Sequence, residues 1–246
     1  AGTRGFAIGR QLLQEAEEAG VEIHLGRRVW GIFPDGSVTA ANDTESVRYQ
    51  GSYLILATGA SENALAFPGC TLPGVMTAGA AQTFANVHHV LPGQNIVMVG
   101  SGNVGLIVTY QLLQAGANVK AILEAAPKLS GYAVHAGKVR RAGVPVLLSH
   151  TVTRAMGDGS LEAVEIAQVD EHFAPIPGTE QVIPCDTLCL AVGLTPRVEL
   201  ADVSGCDRVW SGPLGGKLPR HNRHMESSRS NILVAGDLAG IEEAST

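Results

Sequence analysis

Apolar and polar positions follow two rhythms along this chain, and each predicts a kind of element. From about Gly5 to Gly20, Phe6, Ile8, Leu12, Leu13 and Ala16 recur at helical spacing, so an amphipathic helix is expected, with Gly20 as its C-terminal cap. Residues 21–25 alternate with a period of two and read as a strand. Residues 29–41, turning at Pro34-Asp35-Gly36, read as a hairpin, and residues 46–49 as a third β segment. Residues 53–59 are an apolar run that ends in a small-residue turn, the pattern of a buried strand. Between 60 and 92 the pattern breaks at Pro68, Gly69, Pro73 and Gly74, and only residues 78–87 look helical. After Pro92-Gly93 come a strand over 95–99, a helix over 104–115 and a strand over 119–123. A short helix over 133–142, a strand over 144–148 and a hairpin over 152–166 follow. Residues 187–193 and 231–235 are two further strands with glycine just beyond, separated by a polar, glycine-rich loop over 204–231.

One stretch carries chemistry. The apolar run Asn95-Ile96-Val97-Met98-Val99 ends in Gly100-Ser101-Gly102-Asn103-Val104-Gly105, a helix pattern follows, and the next strand ends in Glu124. Strand, G-x-G-x-x-G, helix, strand and an acidic residue about 20 positions on form the dinucleotide-binding fingerprint in its required context. Gly100 suits the tight turn, Gly102 lets a pyrophosphate approach the backbone, and Gly105 lets helix and strand pack closely. The helix N-terminus, at Asn103 and Val104, then offers backbone N–H groups and its positive end to the phosphates. A packing-only turn accounts for Gly105 but not for Gly102 together with Glu124. Glu124 can accept the adenosine ribose hydroxyls and would repel a 2′-phosphate, and Ala125, Ala126 and Pro127 supply no arginine, so NAD is expected over NADP.

Bulk properties narrow the partners. The 246 residues suffice for one or two domains, and a net charge of −6 disfavours nucleic acid and anionic membrane surfaces. Apolar runs are too short to span a membrane, and no signal-peptide pattern opens the chain. Four cysteines without short paired spacing suggest free thiols and a cytoplasmic location. Cys185 and Cys189, if extended, lie about 13 Å apart at roughly 3.3 Å per residue, beyond the roughly 7 Å that a disulfide spans. His88-His89 and His221/His224 lack the partners a zinc site needs, so no metal is expected; Arg220 and His221 are placed as weakly cofactor-facing. The Tyr-x-x-x-Lys pair of short-chain dehydrogenases is absent, since Tyr110 is followed by Gln114 and Tyr132 by Ala136. No catalytic side chain is assigned.

Three strands ending in small-residue turns surround the fingerprint: Ala57-Thr58-Gly59, Ala191-Val192-Gly193 and Ala235-Gly236-Asp237. In this order they resemble the two-dinucleotide-binding-domain flavoproteins, the pyridine nucleotide–disulfide oxidoreductase superfamily. Residues 57–79 are similar to the branch holding the α-subunits of sarcosine oxidase, opine oxidase and hydrogen cyanide synthase. The resemblance implies an α/β fold in which a Rossmann-like NAD-binding domain is inserted in a FAD-binding Rossmann-like domain with a small β-meander. It implies NAD at Gly100, Gly102, Asn103, Val104, Gly105, Glu124 and Gly193, and FAD at Thr58, Gly59 and Asp237. It also implies hydride transfer between NAD(H) and FAD, an amino-acid or amine substrate or another acceptor, and partner subunits; a non-catalytic NAD-binding subunit or module is the alternative.

The expected division is a partial FAD-type domain over 1–66, a linker over 67–92, the NAD domain over 93–208 and a return to the FAD-type domain over 209–246. The earlier G-x-G-x-x-G of a complete member is not found, since Gly2, Gly5 and Gly9 are wrongly spaced. The chain is therefore read as a fragment, with a new helix beginning near Thr246. It is expected to lack stoichiometric FAD and to self-associate through uncovered apolar sheet surface.

Overall fold

The computed structural model describes residues 3–242. In chain order the elements begin with α1 (Gly5–Glu18), β1 (Arg28–Ile32), β2 (Val38–Ala41), β3 (Ser46–Tyr49), β4 (Leu54–Leu56), β5 (Ala60–Glu62), β6 (Val75–Thr77) and α2 (Ala78–Asn86). Then come β7 (Asn95–Val99), α3 (Asn103–Gln114), β8 (Asn118–Glu124), α4 (Ala133–Arg141), β9 (Val146–Leu148), β10 (His150–Met156), β11 (Ala163–Gln168) and β12 (Gln181–Pro184). The walk ends with β13 (Thr187–Leu190), β14 (Leu194–Pro196), α5 (Glu199–Val203), β15 (Arg208–Ser211), β16 (Gly216–Pro219) and β17 (Ile232–Val234). The chain divides into two compact units. One gathers the residues up to Thr58 with Val198–Val209 and Pro219–Ala235; the other gathers Gly59–Arg197, Trp210–Leu218 and the residues from Gly236 on.

The second unit has three layers. Its central parallel sheet runs in the order β6-β13-β7-β8-β9. Because side chains alternate across a strand, β7 sends Ile96 and Met98 to one face and Val97 and Val99 to the other. The first face packs against α2, α3 and α4 through Ala81, Leu106, Leu112 and Val139. The second packs against the antiparallel meander β10-β11-β12 through Val152, Val164 and Ile166. Burial on both faces explains the unbroken apolar runs of β7 and β13. Each fully buried large side chain contributes roughly 1.5–3 kcal/mol.

The stretch 67–92, expected as a linker, instead supplies the edge of this sheet. Val75, Met76 and Thr77 pair in parallel with Leu188, Cys189 and Leu190. Gly74 turns the chain at φ +104°, where an added Cβ would lie 2.5 Å from the Asp186 carbonyl oxygen. Thr77 then caps α2 by accepting the Ala80 N–H at 3.4 Å. The proline and glycine signals here are the turn chemistry that feeds a three-residue strand.

In the first unit, β1, β2 and β3 form an antiparallel meander, and β4 pairs in parallel with β17. The β1–β2 turn is held by Asp35, whose Oδ1 accepts the Ser37 N–H at 3.0 Å and its hydroxyl at 2.6 Å, with Arg48 on the other oxygen. The strand expected over 21–25 is not formed. Val21 and Leu25 are exposed, and a strand needs a partner for its backbone groups. Helix α1 forms as expected, but none of its residues is buried and its apolar stripe faces outward. The polar stretch 204–231 contains β15 and β16, which were not anticipated. The helix start expected near Thr246 lies outside the described residues. Among the described residues, no helix is long and apolar enough to cross a membrane.

Candidate nucleotide-binding site

The glycine turn joins β7 to α3. Gly100 sits at φ +101°, and its N–H donates to the Leu123 carbonyl at 2.7 Å. An added Cβ at Gly100 would lie 2.2 Å from the Ala191 carbonyl oxygen, and one at Gly105 2.2 Å from the Gly100 carbonyl oxygen. These two glycines are required by the protein's own packing. Gly102 is different. It is the N-cap of α3 at φ −62°, ψ 173°, a conformation open to any residue, and an added Cβ would meet nothing within 4 Å. No side chain caps the helix there. The absence of a side chain at Gly102 keeps space open in front of a helix N-terminus.

That space is a cavity of about 600 Å³. Of the seven residues expected to hold NAD, six line it: Gly100, Gly102, Asn103, Val104, Glu124 and Gly193. Gly105 is buried behind the turn. At the far wall Gly193 adopts φ +103° beyond β13, and its carbonyl accepts the Asn63 N–H at 2.9 Å. Asn63 Oδ1 accepts the Thr195 hydroxyl at 2.7 Å. Glu62, also on the wall, accepts the Gly79 N–H at the start of α2 at 2.7 Å. Neither Glu62 nor Asn63 carries a motif that would have marked it in the sequence.

Glu124, the last residue of β8, does more than the sequence suggested. Its Oε2 accepts the Ser101 N–H at 3.0 Å, the Ser101 hydroxyl, and the Ser130 hydroxyl at 3.1 Å. Its Oε1 accepts the Ala126 N–H at 2.9 Å. Burial alone would raise the Glu124 pKa, but these donors, the Ser101 hydroxyl foremost, outweigh it and hold the carboxyl below its ordinary 4.5. The residue is therefore ionised and locks the glycine turn to the loop that follows β8. The same loop is tied again by the Gly131 N–H on the Ser101 carbonyl at 2.9 Å and the Tyr132 N–H on Asn103 Oδ1 at 2.7 Å. Oε2 is thus engaged within the protein, while Oε1, with one donor, keeps acceptor capacity on a residue that lines the cavity.

The residues expected at a flavin leave two adjacent parallel strands. Thr58 and Gly59 follow β4, Asp237 follows β17, and the Ala235 N–H donates to the Leu56 carbonyl at 2.9 Å. Gly59 has φ +71° with nothing within 4 Å of an added Cβ, and Asp237 is exposed. Carboxyl ends of parallel strands are where such sheets place ligands. His221 turns its Nδ1 to the Pro219 carbonyl at 2.9 Å, and Arg223 Nε donates to His224 Nε2 at 3.1 Å.

Two of the four thiols are shielded from reaction. Cys185 and Cys189 are free and buried; burial, reinforced by Asp186 at Cys185 and by Glu62 at Cys189, pushes both up to about 12. At pH 8 both stay protonated. Iodoacetamide should label the half-exposed Cys70 of the native protein and leave Cys185 and Cys189 unmodified, as read by peptide mass spectrometry. Labelling of either at the Cys70 rate would contradict this.

A parallel sheet, a glycine turn with an open middle position and an acidic residue at the next strand end define a dinucleotide-binding, Rossmann-like protein. Residues 4–246 match the model of the family described as pyridine nucleotide-disulphide oxidoreductase, and the chain belongs to that family. It is 31% identical over 242 residues to the HcnB subunit of hydrogen cyanide synthase from Pseudomonas aeruginosa, covering 90% of this chain and 51% of the relative. It is 28% identical over 258 residues to an opine oxidase subunit of Rhizobium meliloti, covering 96% and 54%. The chain thus spans about half the length of these curated relatives. The thioredoxin reductase of T. acidophilum superposes with a TM-score of 0.75 at 20% identity, over 97% of this chain and 74% of that one, which establishes a shared fold.

Proposed function

We propose that this chain is the nicotinamide-nucleotide-binding part of a flavin-dependent oxidoreductase that moves hydride between NAD(H) and FAD. One observation carries the reading: Gly102 stands open at a helix N-terminus inside the cavity while its neighbours Gly100 and Gly105 are packed against backbone. Members of the family bind FAD and NAD(P). In this reading the first turn of α3, from Asn103 and Val104, receives the pyrophosphate through backbone N–H groups. Glu124 Oε1 accepts a ribose hydroxyl, and Gly193 leaves the far wall free of a side chain. Thr58, Gly59 and Asp237 hold the flavin nucleotide. When both groups are bound, the nicotinamide and the flavin supply the hydride donor and acceptor. The protein has to hold the reactants and exclude water, so no side-chain acid or base is assigned.

The NAD domain expected over 93–208 is assigned to the unit that holds Gly59–Arg197, which includes β6 and α2, and the FAD-type domain expected over 1–66 and 209–246 to the unit that holds the residues up to Thr58, Val198–Val209 and Pro219–Ala235, so the proposed boundaries move to 58/59 and 197/198. The name opine oxidase supports an amino-acid or amine substrate, and the fact that both relatives are subunits supports partner chains. That also favours a second reading, a nucleotide-binding module whose substrate oxidation lies on a different polypeptide. Free thiols support a cytoplasmic location.

The protein supplied with FAD should lose its visible flavin absorbance when NADH is added without oxygen, and titration calorimetry should show NAD bound more tightly than NADP. A flavin that NADH leaves oxidised would favour the module. Equal or tighter NADP binding would overturn the assignment of Glu124.

A further inference from the structure

We propose that Phe173 is the adenine platform of the nucleotide site, a role that rests on the NAD-binding reading above. Phe173 lies on the loop between β11 and β12, far in sequence from every motif. It has φ +63°, is 60% exposed, and lines the same cavity as the glycine turn. A bulky residue at positive φ costs free energy, and exposing an aromatic ring forgoes burial. The loop nevertheless enforces this placement. Asp170 Oδ1 accepts the His172 N–H at 2.8 Å and the Ala174 N–H at 2.9 Å, and the Asp170 carbonyl accepts the Phe173 N–H at 3.1 Å. The Asp170 N–H donates to the Ala174 carbonyl at 3.0 Å, and Val169 bridges to Pro175.

Topology says which part of a dinucleotide the ring meets. Gln168, at the end of β11, pairs with His150, just beyond β9. The Val169 N–H donates to the Ser149 carbonyl at 2.8 Å, and the Ser149 N–H to the Ala126 carbonyl at 3.2 Å. The loop is thereby anchored at the carboxyl ends of β8 and β9, next to Glu124. Gly193 follows β13, on the other side of β7 in the sheet order. With the pyrophosphate at Gly102 and a ribose at Glu124, the base on that ribose is the adenine, and the cavity wall there is Ala125, Thr151 and Phe173. None of these three is charged, and a neutral, flat base finds an aromatic face to stack on. Stacking of this kind is worth enough to change affinity about tenfold.

The test titrates NAD⁺, ADP-ribose and nicotinamide mononucleotide into the native protein and into Phe173→Gly and Phe173→Tyr. Glycine relieves the positive φ, so Phe173→Gly should keep or raise Tm while binding NAD⁺ and ADP-ribose about tenfold or more weakly. Its affinity for nicotinamide mononucleotide, which lacks the adenosine, should not change. Phe173→Tyr should bind all three as the native protein does. Native protein that binds NAD⁺ and ADP-ribose, with Phe173→Gly binding them equally well, overturns the platform and leaves the site standing. An equal loss for nicotinamide mononucleotide also overturns it, by moving the ring to the other end. Native protein that binds neither NAD⁺ nor ADP-ribose overturns the site and the platform together.

Discussion

Gly102→Val should abolish NAD binding and leave the protein folded. At φ −62° and ψ 173° the backbone accepts an L side chain without strain, and nothing in the protein stands within 4 Å of the new Cβ. The valine would occupy the space in front of the α3 N-terminus, where the pyrophosphate must come to reach the N–H groups. Losing that approach should weaken binding by about 3 kcal/mol or more, over a hundredfold. Gly105→Ala is the informative contrast. Its Cβ would lie 2.2 Å from the Gly100 carbonyl oxygen and 3.3 Å from the Ala191 Cβ, so the helix or the strand must move. Overpacking of this kind costs about 1–3 kcal/mol or more of stability. Circular dichroism and calorimetry on the same samples separate the two. Gly102→Val that binds NAD normally would show that the turn does not hold a phosphate.

Glu124→Gln should cost both stability and affinity. The amide keeps one acceptor oxygen but turns an NH₂ toward groups that are themselves donors: the Ser101 N–H and hydroxyl, the Ser130 hydroxyl or the Ala126 N–H. Hydrogen bonds to a charged group are worth about 1.5–3 kcal/mol each and do not add fully, so a net loss of about 2–4 kcal/mol is expected at pH 7. That corresponds to a Tm lower by roughly 5–15 °C in a chain of this size. The loss should depend on pH in a definite sense. The folded pKa of Glu124 lies below 4.5, so the carboxylate's contribution is complete above that value. It fades as pH falls through the lower, folded pKa. Melting curves of the two proteins should therefore converge in acid and stay apart at neutral pH. A Tm difference independent of pH would assign the effect to shape rather than charge.

The parts of this molecule that were legible in the sequence are those decided by near neighbours. The strand, glycine turn, helix and strand over 95–124 could be placed to within a residue or two, because continuous apolar runs, a 3.6-residue period and the glycines all lie within thirty positions. The edge strand β6 was hidden because it is three residues long and exists through pairing with β13, more than a hundred positions away. Residues 21–25 show the converse, alternating like a strand but pairing with no strand among the described residues. The amphipathic pattern of α1 predicted its helix correctly but not that its apolar stripe would be exposed. In the site, the six lining residues were visible as a motif or a strand ending. The hydrogen bonds of Ser101 and the placement of Ser130, Asn63 and Phe173 were not, because each is set by segments that only the fold brings together.

The contact of Gly100 and Gly105 with Ala191 also bears on how quickly a nucleotide is exchanged. The turn lies so close to Ala191, just beyond β13, that a Cβ on Gly100 would strike its carbonyl oxygen, and the nearest side-chain atom there is a methyl carbon with no rotamer to change. This bed has no slack through which to open, so ordering it is settled when the chain folds and not when the cofactor arrives. In the proposed binding mode, the exchange rate of the nucleotide should therefore respond to changes at Phe173, on the loop after β11 that lines the same cavity, more than to any adjustment of the turn itself.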